Sequence, residues 1–180
     1  NNNVRLLHKQ KFFNDVAPRL VESFKKSTNM VLKPNYLTAL SVVLRNTPSN
    51  ITITYTSELL PLLLQALELE SSDVRVSSLQ SLRDTVEQSP QLITEYVSSL
   101  VHLCLSLVKP GKHNTVMVRL LSLEILQLLA TSVPLNYLLV HKDDIIKGLT
   151  PTLDDKKRKV RKTCIDTRQI YYELGQVPFE

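Results

Sequence analysis

"DVRVSSLQSL" (73–82), "MVRLLSLEIL" (117–126) and "KVRKTCIDTR" (159–168) are three copies of one pattern. Each sets Val-Arg ahead of a small residue three positions after the arginine (Ser78, Ser122, Cys164), followed by Leu79, Leu123 or Ile165. The small residues stand 44 and 42 positions apart. A fainter copy, "NYLTALSVVL" (35–44), sets Ala39 before Leu40, 39 positions ahead of Ser78, and lacks the Val-Arg. Two helices approach closely only where one side chain is small, so a small residue flanked by Leu or Val at helical spacing marks a helix pressed against a partner.

A second amphipathic run precedes each copy: residues 9–26, 56–69, 90–108 and 137–153. Each contains or begins at a proline. Pro90 suits the first position of a helix, whereas Pro18, Pro61 and Pro151 read as interior and kink-forming. Breaks are expected at "ESSD" (70–73), where Asp73 is a candidate cap, at "KPGKHN" (109–114), and at "LDD" (153–155), where Asp154 and Asp155 are candidate caps. The Ile/Thr alternation of "RNTPSNITIT" (45–54) has no second strand to pair with and reads as a loop. The expected fold is therefore all-α: an α-solenoid of about four HEAT/armadillo-like helix pairs, repeats roughly 4–47, 52–89, 90–132 and 134–175, in a single domain spanning 1–180.

Composition agrees. Three glycines and no tryptophan among 180 residues, with abundant leucine, suit helices better than turn-rich sheets. The net charge of +5 is unevenly spread. Residues 1–50 carry eight Lys/Arg against two Asp/Glu, and residues 51–100 carry two against seven. That acidic centre argues against a phosphate-wrapping groove and for protein surfaces. Cys104 and Cys164 are too far apart in sequence for a C-x-x-C motif and suit a reducing compartment. No apolar run reaches the roughly 18 residues of a membrane span. The "NNNVRLL" start, without methionine or a signal pattern, reads as a piece of a longer protein.

No enzymatic constellation assembles: there is no glycine-rich phosphate loop, no H-E-x-x-H and no G-x-S-x-G. His8, His102, His113 and His141 are scattered, with His102 expected in a core or groove. The two cysteines fall on apolar stripes as buried thiols, so neither a catalytic nor a metal site is expected, and no cofactor. The densest chemistry lies in "LDDKKRKVRK" (153–162), six cations in ten positions. It reads as a capped helix with a basic wet face, a buried stripe of Val160, Cys164, Thr167, Tyr171 and Leu174, and a Lys162–Asp166 pair at i+4. Yet cations near a helix N-terminus cost about 0.3–1 kcal/mol each. An acidic protein partner, an import signal or nucleic acid would each supply a reason for them.

"LDDKKRKVRKTCIDTRQIYYELG" (153–175) resembles the last HEAT repeat of the MMS-nineteen family. The resemblance rests on Leu153-Asp154-Asp155-Lys156-Lys157-Arg158, Val160-Arg161-Lys162, the register of Arg168, and the ending Tyr172, Leu174 and Gly175; the upstream "LLVHKDDIIKGLTPTL" fits as well. Cys164 stands where the family has an alanine-like residue, and Tyr171-Tyr172 where an aromatic pair with tryptophan is usual. The resemblance implies a non-enzymatic adaptor of the cytosolic iron–sulfur protein assembly (CIA) targeting complex, in cytoplasm and nucleus. Its implied partners are the complex's small bridging subunit, its WD-repeat propeller subunit, and apo-proteins of DNA repair, replication and transcription awaiting clusters.

Candidate partner-binding residues follow from the repeat. Arg75, Arg119 and Arg161 hold equivalent places in successive second helices and would form a ladder, either facing a partner or pairing with an Asp of a neighbouring repeat. Lys159, Lys162, Arg168 and Tyr172 are the terminal-repeat candidates, Arg and Tyr being frequent interface anchors. Two other classes stay open: a generic protein-binding solenoid of the transport-receptor kind, and a HEAT-type nucleic-acid binder or DNA-processing enzyme, which the acidic block at 51–100 disfavours.

Overall fold

The computed structural model describes residues 2–176, with side chains from residue 4 onward. Among the described residues there are ten α-helices, four 3-10 turns and no strand, so the fold is all-α. The chain divides into two compact units, residues 1–81 and 82–180.

The first unit opens with α1 (Asn2–Lys26), which buries Phe13, Ala17, Val21 and Phe24 on one stripe at helical spacing. It packs on α2 (Leu32–Arg45), whose Leu37, Leu40 and Leu44 face inward. The turn between them is set by Asn29, whose Oδ1 accepts from Val31 N at 2.9 Å. Residues 45–54, expected as a loop, instead form α3 (Ser49–Thr52) and a 3-10 turn, Ile53–Tyr55. The reason is local: Pro48 suits the position before a helix, Ile51 is buried, and Thr52 and Thr54 hydroxyls donate to carbonyls three residues back.

The helix α4 (Thr56–Ala66) buries Leu59, Leu60, Leu62, Leu63, Leu64 and Ala66, nearly its whole girth. Pro18 and Pro61 do lie inside α1 and α4. The helix α5 (Ser72–Gln88) crosses the division between the units. Its capping contact comes from Ser71, whose Oγ accepts from Val74 N at 3.4 Å; Asp73 sits exposed in the first turn and is not the cap.

In the second unit, 3-10 turns Pro90–Leu92 and Thr94–Tyr96 lead into α6 (Val97–Leu107), with Pro90 at the first position. Next come α7 (Val116–Ser132), α8 (Leu135–Leu139), α9 (Lys142–Gly148), a 3-10 turn Thr150–Asp154, and α10 (Arg158–Glu173). The run 137–153 is thus three short pieces, and Pro151 starts the 3-10 turn instead of interrupting an α-helix. Two layers result: α6 packs against α8 and α9, while α7 packs against α10 and closes over α6. Gly148 permits the close approach of α9 to α6, since a Cβ there would lie 3.1 Å from Leu105 Cδ2. Gly175 ends α10 with a left-handed φ of 75°.

The small residues behave as the repeat requires: Ser78, Ser122 and Cys164 are all fully buried. The stripe Val160, Cys164, Thr167 and Tyr171 is buried too, with Leu174 half-buried. Ile165 breaks the series, 56% exposed where Leu79 and Leu123 are buried.

Candidate docking face and the arginine clamps

The three repeat arginines each turn back onto the loop before their own helix. Arg75 Nε donates to Leu67 O at 3.0 Å, Arg119 Nη1 to Asn114 O, and Arg161 Nη1 to Asp155 O at 2.6 Å. Arg119 also reaches the next repeat: its Nε lies 2.9 Å from Asp155 Oδ2 and its Nη2 donates to Oδ1 at 3.3 Å. Both side chains are buried. Asp155 Oδ1 further accepts from Lys157 N at 2.8 Å, which fixes the entry into α10. So Asp155 acts as a buried counter-ion joining two turns, while Asp154 stays exposed and the residue before α10 is Lys157, which makes no side-chain cap.

The joint between α7 and α10 carries polar bonds besides. Tyr171 OH donates to Leu126 O at 2.6 Å, and Gln127 Nε2 donates to Thr167 Oγ1 at 2.9 Å. These bonds show which flank of α7 receives α10: the one holding Leu123, Gln127 and Ala130. Carried forward by the 42-residue repeat, the same flank of α10 holds Ile165, Gln169 and Tyr172, with Lys162 standing where α7 has Leu120. No described helix covers it. Ile165 and Tyr172 are 56% and 45% exposed, whereas Leu123 is fully buried.

Of the sequence-derived candidates, Lys159 and Lys162 are exposed at the start of α10, and Lys162 closes no ion pair with Asp166. Arg168 is half-buried and occupied: its guanidinium donates to Ile146 O at 3.2 Å and to Tyr172 OH at 3.2 Å, and stacks over the Tyr172 ring at 5.5 Å. It presents that ring at a fixed angle. Arg75, Arg119 and Arg161 are held by their turns. Sequence reasoning passed over Ile165 as an anchor, although the repeat register placed it on this flank. His102, expected in a core or groove, is exposed on α6.

Both cysteines are buried free thiols. Burial pushes Cys104 up to about 12 and Cys164 up to about 11, and Cys164 donates to Leu149 O at 3.3 Å. Thiols so protonated are poor metal ligands. Among the described residues no group of three or more His, Cys, Asp or Glu is placed to hold a metal ion, and no helix is long and apolar enough to cross a membrane.

Helix pairs whose last three second helices carry a fully buried small residue and an arginine folded onto the preceding turn define a HEAT-type helical-repeat protein, a class that binds along its extended surfaces. The chain belongs to the MMS19 family: residues 1–130 match the family model MMS19_C, described as RNAPII transcription regulator C-terminal. It is 53% identical over 180 residues to the DNA repair/transcription protein MMS19 of Saccharomyces cerevisiae, covering 100% of this chain and 17% of that protein. It is 38% identical over 168 residues to the DNA repair/transcription protein mms19 of Schizosaccharomyces pombe, covering 93% of this chain and 16% of the relative. It is 37% identical over 172 residues to the MMS19 nucleotide excision repair protein homolog of Mus musculus, with 96% and 16% covered. The chain thus spans about one sixth of the length of the curated relatives it matches.

Proposed function

We propose that this chain is a non-enzymatic adaptor segment of a protein serving DNA repair and transcription, in cytoplasm and nucleus. In this reading it docks cytosolic iron–sulfur assembly factors, and through them helps deliver clusters to apo-proteins, holding no cluster itself. The observation that carries the docking step is the uncovered flank of α10, where Ile165 occupies the register of the buried Leu123 and Tyr172 that of the half-buried Ala130. Lys162 and the Arg168–Tyr172 stack, with Asp166 and Glu173 exposed beside them, complete a small surface with an apolar centre and a charged border, the composition of an interface hot spot. The relatives' names support a repair and transcription setting. The partner fitted to this flank is the small bridging subunit of the targeting complex.

The test is co-elution of the intact protein with that subunit on a sizing column, repeated with Ile165→Asp and with Tyr172→Asp. Both side chains are exposed, so folding, checked by circular dichroism, should persist while the complex is lost. A complex indifferent to both changes would remove the α10 flank from the interface. A folded protein that forms no complex would leave only a general protein-binding solenoid.

A further inference from the structure

The Arg119–Asp155 bridge, 36 positions apart in sequence, brings together two turns, and each of them is basic. The turn between α6 and α7 carries Lys109 and Lys112, and Asn114 ties it together by donating from Nδ2 to Lys109 O at 2.9 Å. The turn into α10 carries Lys156, Lys157, Arg158 and Lys159. Arg119 bonds Asn114 O in the first and Asp155 in the second, so the two turns flank a single guanidinium. The bridge also neutralises the one buried carboxylate nearby. The two turns carry six exposed cations, and none of them closes an ion pair among the described residues. Asp154 is the one exposed acid on either turn.

We propose that these paired turns form a docking edge for an acidic, carboxylate-rich segment of a partner protein, centred on Lys109, Lys112, Lys156 and Lys157. Charge complementarity is the argument: five of the six cations are lysines, compact point charges that need no fixed partner geometry. The size of the footprint and the lack of a stacking platform favour carboxylates over nucleic acid. Neither turn holds a Phe, Tyr or Trp on which a base could stack, and the one imidazole there, His113, is half-buried. The equivalent turn before α5 carries Glu68, Glu70 and Asp73 and no cation, so the positive charge belongs to these two turns and not to the repeat as such. A short acidic strand fits that footprint, whereas a nucleic-acid backbone needs cations along a longer path.

This edge lies at the N-terminal end of α10, apart from the flank centred on Ile165 and Tyr172, and the proposal does not rest on which assembly factor docks there. The probe is a fluorescein-labelled peptide of ten glutamates, with a ten-nucleotide single-stranded DNA as the rival polyanion. Anisotropy is read on the intact protein at low and moderate salt. Peptide binding should weaken steeply as salt rises, because exposed charges are screened within about 10 Å at 0.1 M. The combined variant Lys109→Glu, Lys112→Glu, Lys156→Glu and Lys157→Glu should lose at least about tenfold in affinity. The matching four Lys→Gln changes, which remove the charge without reversing it, should give an intermediate loss. Ile165→Asp should leave peptide binding unchanged while it disrupts the bridging-subunit complex, so the two readings fail separately. Peptide affinity untouched by the four reversals, or DNA bound more tightly than the peptide, would overturn the proposal.

Discussion

Replacing Arg119 with alanine should cost unit two a large part of its stability, even though nothing hydrophobic is deleted from the core. The guanidinium holds Asp155 by contacts of 2.9 and 3.3 Å and holds the Asn114 carbonyl as well. Arg119 has 9% of its side chain exposed and Asp155 none. Removing one member of so buried a pair leaves the other charge without its partner, and such losses run to about 3–5 kcal/mol. Asp155 keeps the Lys157 N–H at 2.8 Å, which places the expected cost toward the lower end. For a chain of this size each kcal/mol moves the melting temperature by about 2–4 °C, so the shift is on the order of 10 °C.

The assay is thermal and urea unfolding of wild type, Arg119→Ala, Asp155→Ala and the double variant. Residues in direct contact couple, and the cycle should return an interaction of at least about 1.5 kcal/mol. Arg119→Lys should recover little, because an ammonium cannot span both carboxylate oxygens and the Asn114 carbonyl. A loss below about 1 kcal/mol for Arg119→Ala, with coupling near zero, would refute the clamp as the tie between the two turns.

Tyr171→Phe removes only the hydroxyl that donates to Leu126 O, so thermal melts should register about 1 kcal/mol of destabilisation with helix content unchanged. Gly175→Ala puts a Cβ on a residue at φ 75° and within 3.0 Å of Leu139 Cδ2, and the same melts should show a loss of about 1 kcal/mol. The thiols give a pH dependence. Their folded pKa values lie above the ordinary value near 9, so the stability they contribute is fully present below that value and is lost as pH rises through about 11–12. Urea midpoints should accordingly hold steady up to about pH 8.5 and fall above it, less so in Cys104→Ala. Alkylation by iodoacetamide at neutral pH should be negligible until the protein unfolds, and rapid labelling of the native protein would contradict the burial of both thiols.

How much of this was legible in the sequence depends on which interactions decide each element. The spacing of Ser78, Ser122 and Cys164 gave away the second helices, because close helix packing needs a small side chain and nothing else substitutes for it. The stripe from Val160 to Tyr171 followed from the 3.6-residue period alone. The first helices were less readable. In the run 137–153, breaks at Val140–His141 and after Gly148 leave α8, α9 and a 3-10 turn whose boundaries periodicity does not mark. At residues 49–55 an Ile/Thr alternation concealed helical turns, since threonine hydroxyls bonding back to carbonyls offset a poor intrinsic helix preference. The caps went astray for a related reason: Ser71 and Asp73, or Asp154 and Asp155, are equivalent to a motif reader, and only the loop geometry chooses between them. The resemblance read from residues 153–175 and the family match over residues 1–130 fall on different parts of the chain, and the alignment with the yeast relative spans both.

The docking face exposes a limit of repeat logic that is physical and general. The pattern specifies which flank of a second helix is apolar, and it does so equally well for α7 and α10. Whether that flank is covered depends on the next layer, which the pattern in one helix does not contain. Leu123 and Ile165 are the same position in that sense, yet one is fully buried and the other is 56% exposed. The side chains around Ile165 have adjusted to exposure: Lys162 stands where α7 has Leu120, Gln169 where it has Gln127, and Tyr172 where it has Ala130, held by Arg168. Val86, which holds the Ala130 register in α5, is fully buried, so bulk at that position does not by itself decide whether the flank is covered. What sets α10 apart is the exposure of Ile165 and of a tyrosine ring held by Arg168, and the variants Ile165→Asp and Tyr172→Asp test whether a partner uses it.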